Sequence, residues 1–263
     1  MAVTLCTFNV NSIRARLDLL LRWLTEKRPV DILCFQEIKC EAAQFPSESF
    51  EKLGYHVAVN GQKRLNGVAV CSKLPIASVK TEFGMEILDR EKRLIETVIG
   101  ETAILNCYIP RGGPEGEDRH GYKMAFYDAL NAYTAQLLQR HEKVILAGDF
   151  NVALSDLDVY DTEVFEGAVG FLASEKAKFR ALLQTGLCDC YRHLHPEKKA
   201  FTWWDYRNAG IWRDEGMRID YILGNTAACD TLQAIEVDLW TRRRRSPTPS
   251  DHAPVVATFG AMA

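Results

Sequence analysis

The 263-residue chain contains no C-x-x-C pair, no Pro/Gly/Ser-rich linker, no clear internal repeat, no apolar run of membrane-spanning length and no marked excess of one charge. Each absence excludes something. Without cysteines at zinc spacing, the eight scattered cysteines read as reduced, buried thiols, not as a metal finger or a disulfide framework. Without a linker, the whole of 1–263 reads as one domain. The opening Met-Ala-Val-Thr-Leu-Cys-Thr-Phe has neither a basic n-region nor a long apolar stretch, so the chain is expected in the cytoplasm and off the membrane. A net charge of −3 advertises no polyanion and no membrane surface. Any affinity for nucleic acid therefore has to come from local patches.

What is present is ample core material, 47% hydrophobic residues, arranged in short β-branched runs. Val3–Val10, Ile32–Phe35, Val68–Cys71, Leu94–Ile99, Ala103–Cys107, Val144–Ala147, Ile219–Leu223 and Val255–Phe259 read as strands. Helical spacing marks Ile13, Leu17, Leu20, Leu21 and Leu24 as one face and Met124, Tyr127, Leu130, Leu137 and Leu138 as another, with a shorter helix over Glu175–Gln184. Strands outnumber helices and often follow one another directly, which suits two packed sheets flanked by helices better than a βαβ repeat. Pro110–Gly121, Tyr160–Ser174 and Trp203–Gly216 read as long loops, and loops on a rigid scaffold often carry function.

Strand after strand ends in a carboxylate, carboxamide or tyrosine. Asn9 and Asn11 follow the first, Glu37 the second, Tyr108 a middle one, and Asp149 and Asn151 the run Val-Ile-Leu-Ala-Gly; Asp220 sits inside an apolar strand, and Asp251-His252 precede the last. Taken singly, an Asn or Asp after a strand is a turn former. Converging from so many strands, these groups would make one oxygen-rich pocket of the kind a hard cation such as Mg²⁺ prefers. Each then has distinct work in phosphodiester hydrolysis. Glu37 and Asp251 can hold the metal, Asp149 can act as general base on a water, and Asn151, two residues on, can orient that water or the phosphate. His252 can donate to a phosphoryl oxygen while Asp220 fixes its tautomer, and the Tyr108 phenol can donate to the phosphate or stabilise the leaving oxygen.

Seven segments, in order along the chain, resemble motifs of exonuclease III-type AP endonucleases: Thr-Phe-Asn-Val-Asn-Ser-Ile-Arg-Ala, Phe-Gln-Glu-Ile-Lys, Asn-Gly-Val-Ala-Val, Cys-Tyr-Ile-Pro, Ala-Gly-Asp-Phe-Asn-Val-Ala, Met-Arg-Ile-Asp-Tyr-Ile-Leu and Ser-Asp-His-Ala-Pro-Val. Gly-Asp-Phe-Asn and Ser-Asp-His are shared with the wider endonuclease, exonuclease and phosphatase superfamily. Gln-Glu-Ile-Lys, Phe201–Tyr206 and Arg218–Asp220 narrow the reading. The resemblance implies a four-layer αββα sandwich, an α/β fold of two packed mixed sheets, with Mg²⁺ or Mn²⁺ as cofactor and DNA as substrate. It implies Glu37 as principal metal ligand, with Asn9 and Asp251 beside the ion and Asp149, Asn151 and His252 completing its surroundings. It also implies that Tyr108 contacts phosphate and that Asp220 pairs with His252. Asn11 stands where some relatives have aspartate, and Arg111 where some have Asn or Gln.

A damaged nucleotide has to leave the stack to reach a metal in a cleft, so apolar and aromatic residues should line it. Trp203, Met217 and Ile219 match the sugar-pocket positions of the family; Trp212 lies in the same loop, and Trp204 reads as core. Arg14, Arg16, Lys39, Lys63, Arg64, Arg111 and Arg242–Arg245 sit where phosphates would need them. The segment Val164–Leu172 is placed to approach the damaged strand, with Gly167 and Gly170 leaving room. The expected partner is double-stranded DNA with abasic sites or 3′ ends, bound by a monomer. The rival readings are a nonspecific nuclease or phosphatase of the same superfamily and a catalytically inactive DNA-binding scaffold.

Overall fold

A computed structural model describes residues 2–261. Along the chain, β1 (Val3–Asn9), β2 (Ile32–Gln36), β3 (His56–Asn60) and β4 (Val68–Ser72) belong to a first sheet. The strands β5 (Ile76–Lys80), β6 (Leu94–Ile99), β7 (Thr102–Tyr108), β8 (Lys143–Asp149), β9 (Leu187–Asp189) and β10 (Asp220–Asn225) form a second, after which β11 (Leu232–Val237) and β12 (Val255–Phe259) return to the first. The spatial orders are β11-β12-β1-β2-β4-β3 and β5-β6-β7-β8-β10-β9, six strands each. Both sheets are mixed, with β1·β2 and β7·β8 as parallel pairs.

Strand periodicity builds the layers. In β1, Val3 and Leu5 face the other sheet, while Cys6 and Phe8 face a helix, α1 (Ile13–Arg22). In β8, Ile145 and Ala147 face the first sheet, while Val144 and Leu146 meet the long helix α2 (Asp118–Arg140) and α3 (Ala173–Gln184). Central strands buried on both faces read as unbroken apolar runs. Helices thus cover each outer face, and the expected four-layer αββα sandwich is what the chain forms. Each fully buried Leu, Ile or Phe in these layers contributes about 1.5–3 kcal/mol of transfer free energy. Polar bridges cross between the sheets, and in one of them Gln36 Nε2 donates to Asn106 Oδ1 at 2.7 Å while Asn106 Nδ2 donates to the carbonyls of Phe35 and Ala69. It ties β2 to β7 beneath the polar end of the sandwich.

The loops expected from sequence are partly structured. Pro110–Gly121 runs into α2 at Asp118, Tyr160–Ser174 holds a short helix at Thr162–Phe165 and the first turn of α3, and Trp203–Gly216 holds one at Gly210–Arg213. The third helix begins at Ala173, two residues before the sequence reading, because Glu175 is the N3 residue of its first turn and caps it. All eight cysteines are free, seven of them buried. No helix among the described residues is long and apolar enough to cross a membrane.

Candidate active site

The alternation that buries Ile145 and Ala147 between the sheets places Asp149 on the same face, and the same holds for Tyr108 beyond Ile104 and Asn106 and for Asp220 ahead of Ile222. Register then aligns them. Tyr108 pairs with Asp149 across β7 and β8, and Asp149 pairs with Asp220 across β8 and β10, so the three form a row at one end of the second sheet. Asn9, last residue of β1, faces this row from the first sheet. Its Nδ2 spans the gap, donating to Asp149 Oδ2 and Glu37 Oε1, both at 2.9 Å.

Beyond the strands the backbone turns sharply. Asn11 (φ 44°), Glu37 (50°), Lys39 (53°) and Asn151 (51°) adopt left-handed conformations, each costing roughly 1–2 kcal/mol for an L-residue and least for asparagine. The turns are laced together: Val10 N donates to Gln36 O, Ser12 N to Glu37 O and Ile13 N to Ile38 O. Gly148 has a steric reason to precede Asp149, because a Cβ there would lie 1.9 Å from the Cys107 carbonyl oxygen.

Carboxylates gather on one side. Glu37 Oε1 accepts from Tyr108 at 2.8 Å, and Glu37 Oε2 meets Lys39 Nζ at 2.8 Å. Lys39 Nζ also donates to Asn11 Oδ1 at 2.6 Å, and Asn11 Nδ2 passes the link on to Asp251 Oδ1 at 2.9 Å. The Trp203 indole holds the other Asp251 oxygen at 3.0 Å. Burial pushes the Glu37 carboxyl up, but the Lys39 charge and the hydrogen bonds from Asn9 and Lys39 outweigh it, so Glu37 stays below the usual carboxylate range. Asp251 follows the same pattern, with burial overcome by His252, Trp203 and Asn11.

On the other side, His252 Nδ1 donates to Asp220 Oδ2 at 2.9 Å, and His252 Nε2 lies 3.8 Å from Asp149 Oδ2. Burial disfavours the imidazolium, but Asp220 and Asp149 prevail and push His252 up to about 10, so both ring nitrogens carry protons. Asp149 is pushed up to about 7 by burial, with His252 opposing and Asp220 adding to the rise. Thr202 Oγ1 accepts from the amides of Ile219 and Asp220, and Ser250 Oγ donates to Asn9 O at 2.7 Å, pinning the strand ends. These groups open onto a cavity of about 170 Å³.

The family model for the Endonuclease/Exonuclease/phosphatase family matches residues 6–252. The chain belongs to this family. Exodeoxyribonuclease III of Haemophilus influenzae is 34% identical over 96% of this chain and 98% of its own length. A Neisseria 3′ phosphatase solved with a product DNA hairpin superposes with a TM-score of 0.94 at 35% identity, covering 98% of this chain and 100% of that one. An AP endonuclease from Archaeoglobus fulgidus superposes at 0.93 with 33% identity, covering 98% and 100%. Within the family, the chain is a hydrolase of the exonuclease III and AP endonuclease group.

Of the residues singled out from sequence in this family member, Glu37, Tyr108, Arg111, Asp149, Asn151, Trp203, Met217, Ile219, Asp251 and His252 line the cavity. Asp220 stands behind His252, and Asn9 bridges Glu37 and Asp149. Asn9 turns its amide nitrogen to the carboxylates, while its oxygen accepts from Asn11 N at 3.0 Å. Asn11 and Lys39 lie within the carboxylate network. Arg14 is exposed on α1, and Trp212 is 57% exposed on the short helix Gly210–Arg213, neither of them lining the cavity. The arginine run divides: Arg242 is buried, with its guanidinium on the carbonyls of Asp251 and Trp204, so it braces the site from inside, while Arg243–Arg245 are exposed. Trp204 is core, 1% exposed.

An all-oxygen donor set with Glu37 and Asp251 held ionised fits a hard divalent cation. Burial is the main cause of the raised Asp149 carboxyl, and the negative charges of Asp220 and Glu37 add to it, a contribution that a bound cation would offset. Asp149, Asp220 and His252 also present atoms within 4.8 Å of one another. Within that trio His252 Nδ1 is bonded to Asp220 Oδ2, while Asp220 Oδ1 is buried without a hydrogen-bond partner. Val169 and Gly170, from the segment Val164–Leu172 singled out in the sequence, also line the cavity, whereas the supports Thr202, Ser250 and Arg93 were missed. The Arg93 guanidinium lies 4.6 Å from the Tyr108 ring centre.

Proposed function

We propose that this chain is a Mg²⁺-dependent DNA-repair phosphodiesterase that cuts at abasic sites and removes blocked or unblocked 3′ ends. The observation that carries the reading is the single row Tyr108–Asp149–Asp220 facing Asn9 and Glu37 across the sheet gap, with His252 between Asp149 and Asp220. The three relatives above, an exodeoxyribonuclease III, a 3′ phosphatase and an AP endonuclease, support DNA as the substrate.

Glu37 and Asp251 would hold the ion. When bound, Mg²⁺, or Mn²⁺ in its place, polarises a phosphoryl oxygen and offsets the charge that develops there. Asp149 takes the proton from an attacking water; a buried carboxyl raised to about 7 is matched to that task near neutral pH. Its two oxygens are aimed by Asn9 Nδ2 and by the Asn151 amide, each at 2.9 Å. Asn151 keeps one side-chain N–H on the Ile109 carbonyl and offers the other to the phosphate. The doubly protonated His252 donates through Nε2 to a phosphoryl oxygen. Burial first, and the neighbouring Glu37 charge next, push the Tyr108 phenol well above its usual range, so it remains a donor throughout. Trp203, Met217 and Ile219 supply apolar walls for a displaced sugar, with Gly170 beside Met217 and Val169 also on the cavity. Eight unpaired cysteines suit a cytoplasmic enzyme, which we take to act as a monomer.

The test uses purified protein with Mg²⁺ on three labelled DNAs: an abasic duplex, a duplex with a recessed undamaged 3′ end, and one ending in 3′ phosphate, each with an EDTA control. Metal-dependent cleavage is expected, and the products assign the dominant activity. Tight binding without cleavage of any of the three would sink the enzyme reading in favour of a DNA-binding scaffold.

A further inference from the structure

A buried ion pair lies behind the cavity wall, outside the catalytic groups named above. Lys123, in α2, and Glu175, in the first turn of α3, are both fully buried, with Nζ and Oε1 2.6 Å apart. The remaining donors and acceptors of the pair are taken up by main chain. Lys123 Nζ donates to Asn151 O at 2.7 Å and to Arg111 O at 3.2 Å, which with Glu175 uses all three ammonium protons. Glu175 Oε2 accepts from Gly170 N at 2.7 Å and Leu172 N at 3.1 Å. Arg111, Asn151 and Gly170 come from three separate segments of chain, following β7, following β8 and preceding α3, and all three line the cavity. A Cβ on Gly112 would come within 2.9 Å of Lys123 Cδ, so the Arg111 loop lies directly on the lysine stem.

We propose that Lys123 and Glu175 are positioning residues that lock the Arg111, Asn151 and Gly170 segments in one register around the reacting phosphate, an inference that rests on the phosphodiesterase reading above. Asn151 makes the need plain. It sits in a left-handed turn, with its amide on Asp149, its side chain on Ile109 and its carbonyl on Lys123. The ammonium is the donor to that carbonyl, and through Glu175 it fixes the amide side of the Gly170 loop, whose carbonyl is tied to the same segment by Ala153 N at 2.8 Å. Well-packed apolar residues commonly match or exceed a buried ion pair in stability. What they cannot supply is four directed hydrogen bonds to three loops. The pair therefore acts through geometry, and its loss should appear in turnover before it appears in folding.

The decisive variant is the double replacement Lys123→Met with Glu175→Leu, which removes both charges and leaves neither unpaired. Its melting temperature is expected to stay close to that of the parent, KM for the cleaved DNA to change little, and kcat to fall about 100-fold, as for a misplacement of roughly an ångström. Amide hydrogen exchange read without metal or DNA should show Gly170 and Leu172 protected in the parent protein and faster in the variant. Should the double variant fail to fold, Glu175→Asp, which keeps the charge and shortens the reach, is predicted to show the same selective loss of kcat. Parental kcat in a folded variant, or equal exchange at Gly170 and Leu172 in parent and variant, overturns the proposal. If the parent cleaves no DNA at all, the phosphodiesterase reading falls, and the exchange rates alone decide whether the pair orders the loops.

Discussion

Asp220 accepts the His252 Nδ1 proton at 2.9 Å, and the far nitrogen of the same ring lies 3.8 Å from Asp149. The imidazole is thus held between two carboxylates, anchored by one and turned toward the other. Asp220→Asn keeps the shape and removes the anchoring charge. It is expected to lower kcat by about 10²- to 10⁴-fold, the usual worth of a positioned acid or base. With that charge gone, His252 loses its proton at lower pH, so the alkaline limb of the pH–rate profile should move down. A limb that stays in place would show that His252 does not set it.

Tyr108→Phe deletes the hydroxyl that donates to Glu37 and leaves the ring under Arg93. A thermal or denaturant melt should register a loss of about 0.5–1.5 kcal/mol for one hydrogen bond. On the proposed reading the phenol turns its single proton from Glu37 to the phosphate when DNA binds, so turnover should fall by about tenfold or more. Equal turnover in the two proteins would restrict Tyr108 to holding Glu37.

Gly148→Ala places a Cβ 1.9 Å from the Cys107 carbonyl oxygen, one pair from the site end of the β7·β8 ladder. Backbone has to give way, so the cost should exceed the roughly 1–3 kcal/mol of ordinary overpacking. Low soluble yield or a sharply reduced melting temperature is the expected result; a parental melting curve would contradict the register.

Acid stability should depend on a second charge cluster under the site. Burial works to raise the Asp158 carboxyl, yet the guanidiniums of Arg218 and Arg192 outweigh it and hold it below its ordinary 3.8. A depressed folded pKa contributes stability that is fully present above 3.8 and is lost as pH falls from there through the lower folded value. Asp158→Asn strands Arg218 with a single carboxylate, Asp189, and is expected to cost about 3–5 kcal/mol at neutral pH. It should also flatten the acid limb of a stability-versus-pH curve measured in denaturant. An unchanged acid limb would mean that other carboxylates govern it.

The strands legible in the sequence are the eight interior ones. The four that escaped it, β3, β5, β9 and β11, are the four sheet edges. Interior strands bury both faces and read as solid apolar runs, whereas β5 and β11 are mostly exposed and β9 spans only three residues, so neither run nor clean alternation marks them. The cavity residues were legible because chemistry at strand ends leaves a pattern: a polar residue where the alternation would next place an apolar one. Lys123, Glu175, Thr202 and Arg93 left no such mark. Their side chains act on main-chain groups or on the face of a ring, partners fixed only by tertiary packing. Arg242 shows the converse, since a four-arginine run looks solvated until one member is found bonded to the carbonyls of Asp251 and Trp204.

The most direct test of the account is the single-turnover cleavage rate of Asp149→Asn against the parent protein, at saturating Mg²⁺, on whichever labelled DNA the parent cuts fastest. If Asp149 draws the proton from the attacking water, the variant should bind that DNA as the parent does and cleave it at least about 10³-fold more slowly. Cleavage at the parental rate would contradict the assignment of the base and, with it, the mechanism built on the row Tyr108–Asp149–Asp220.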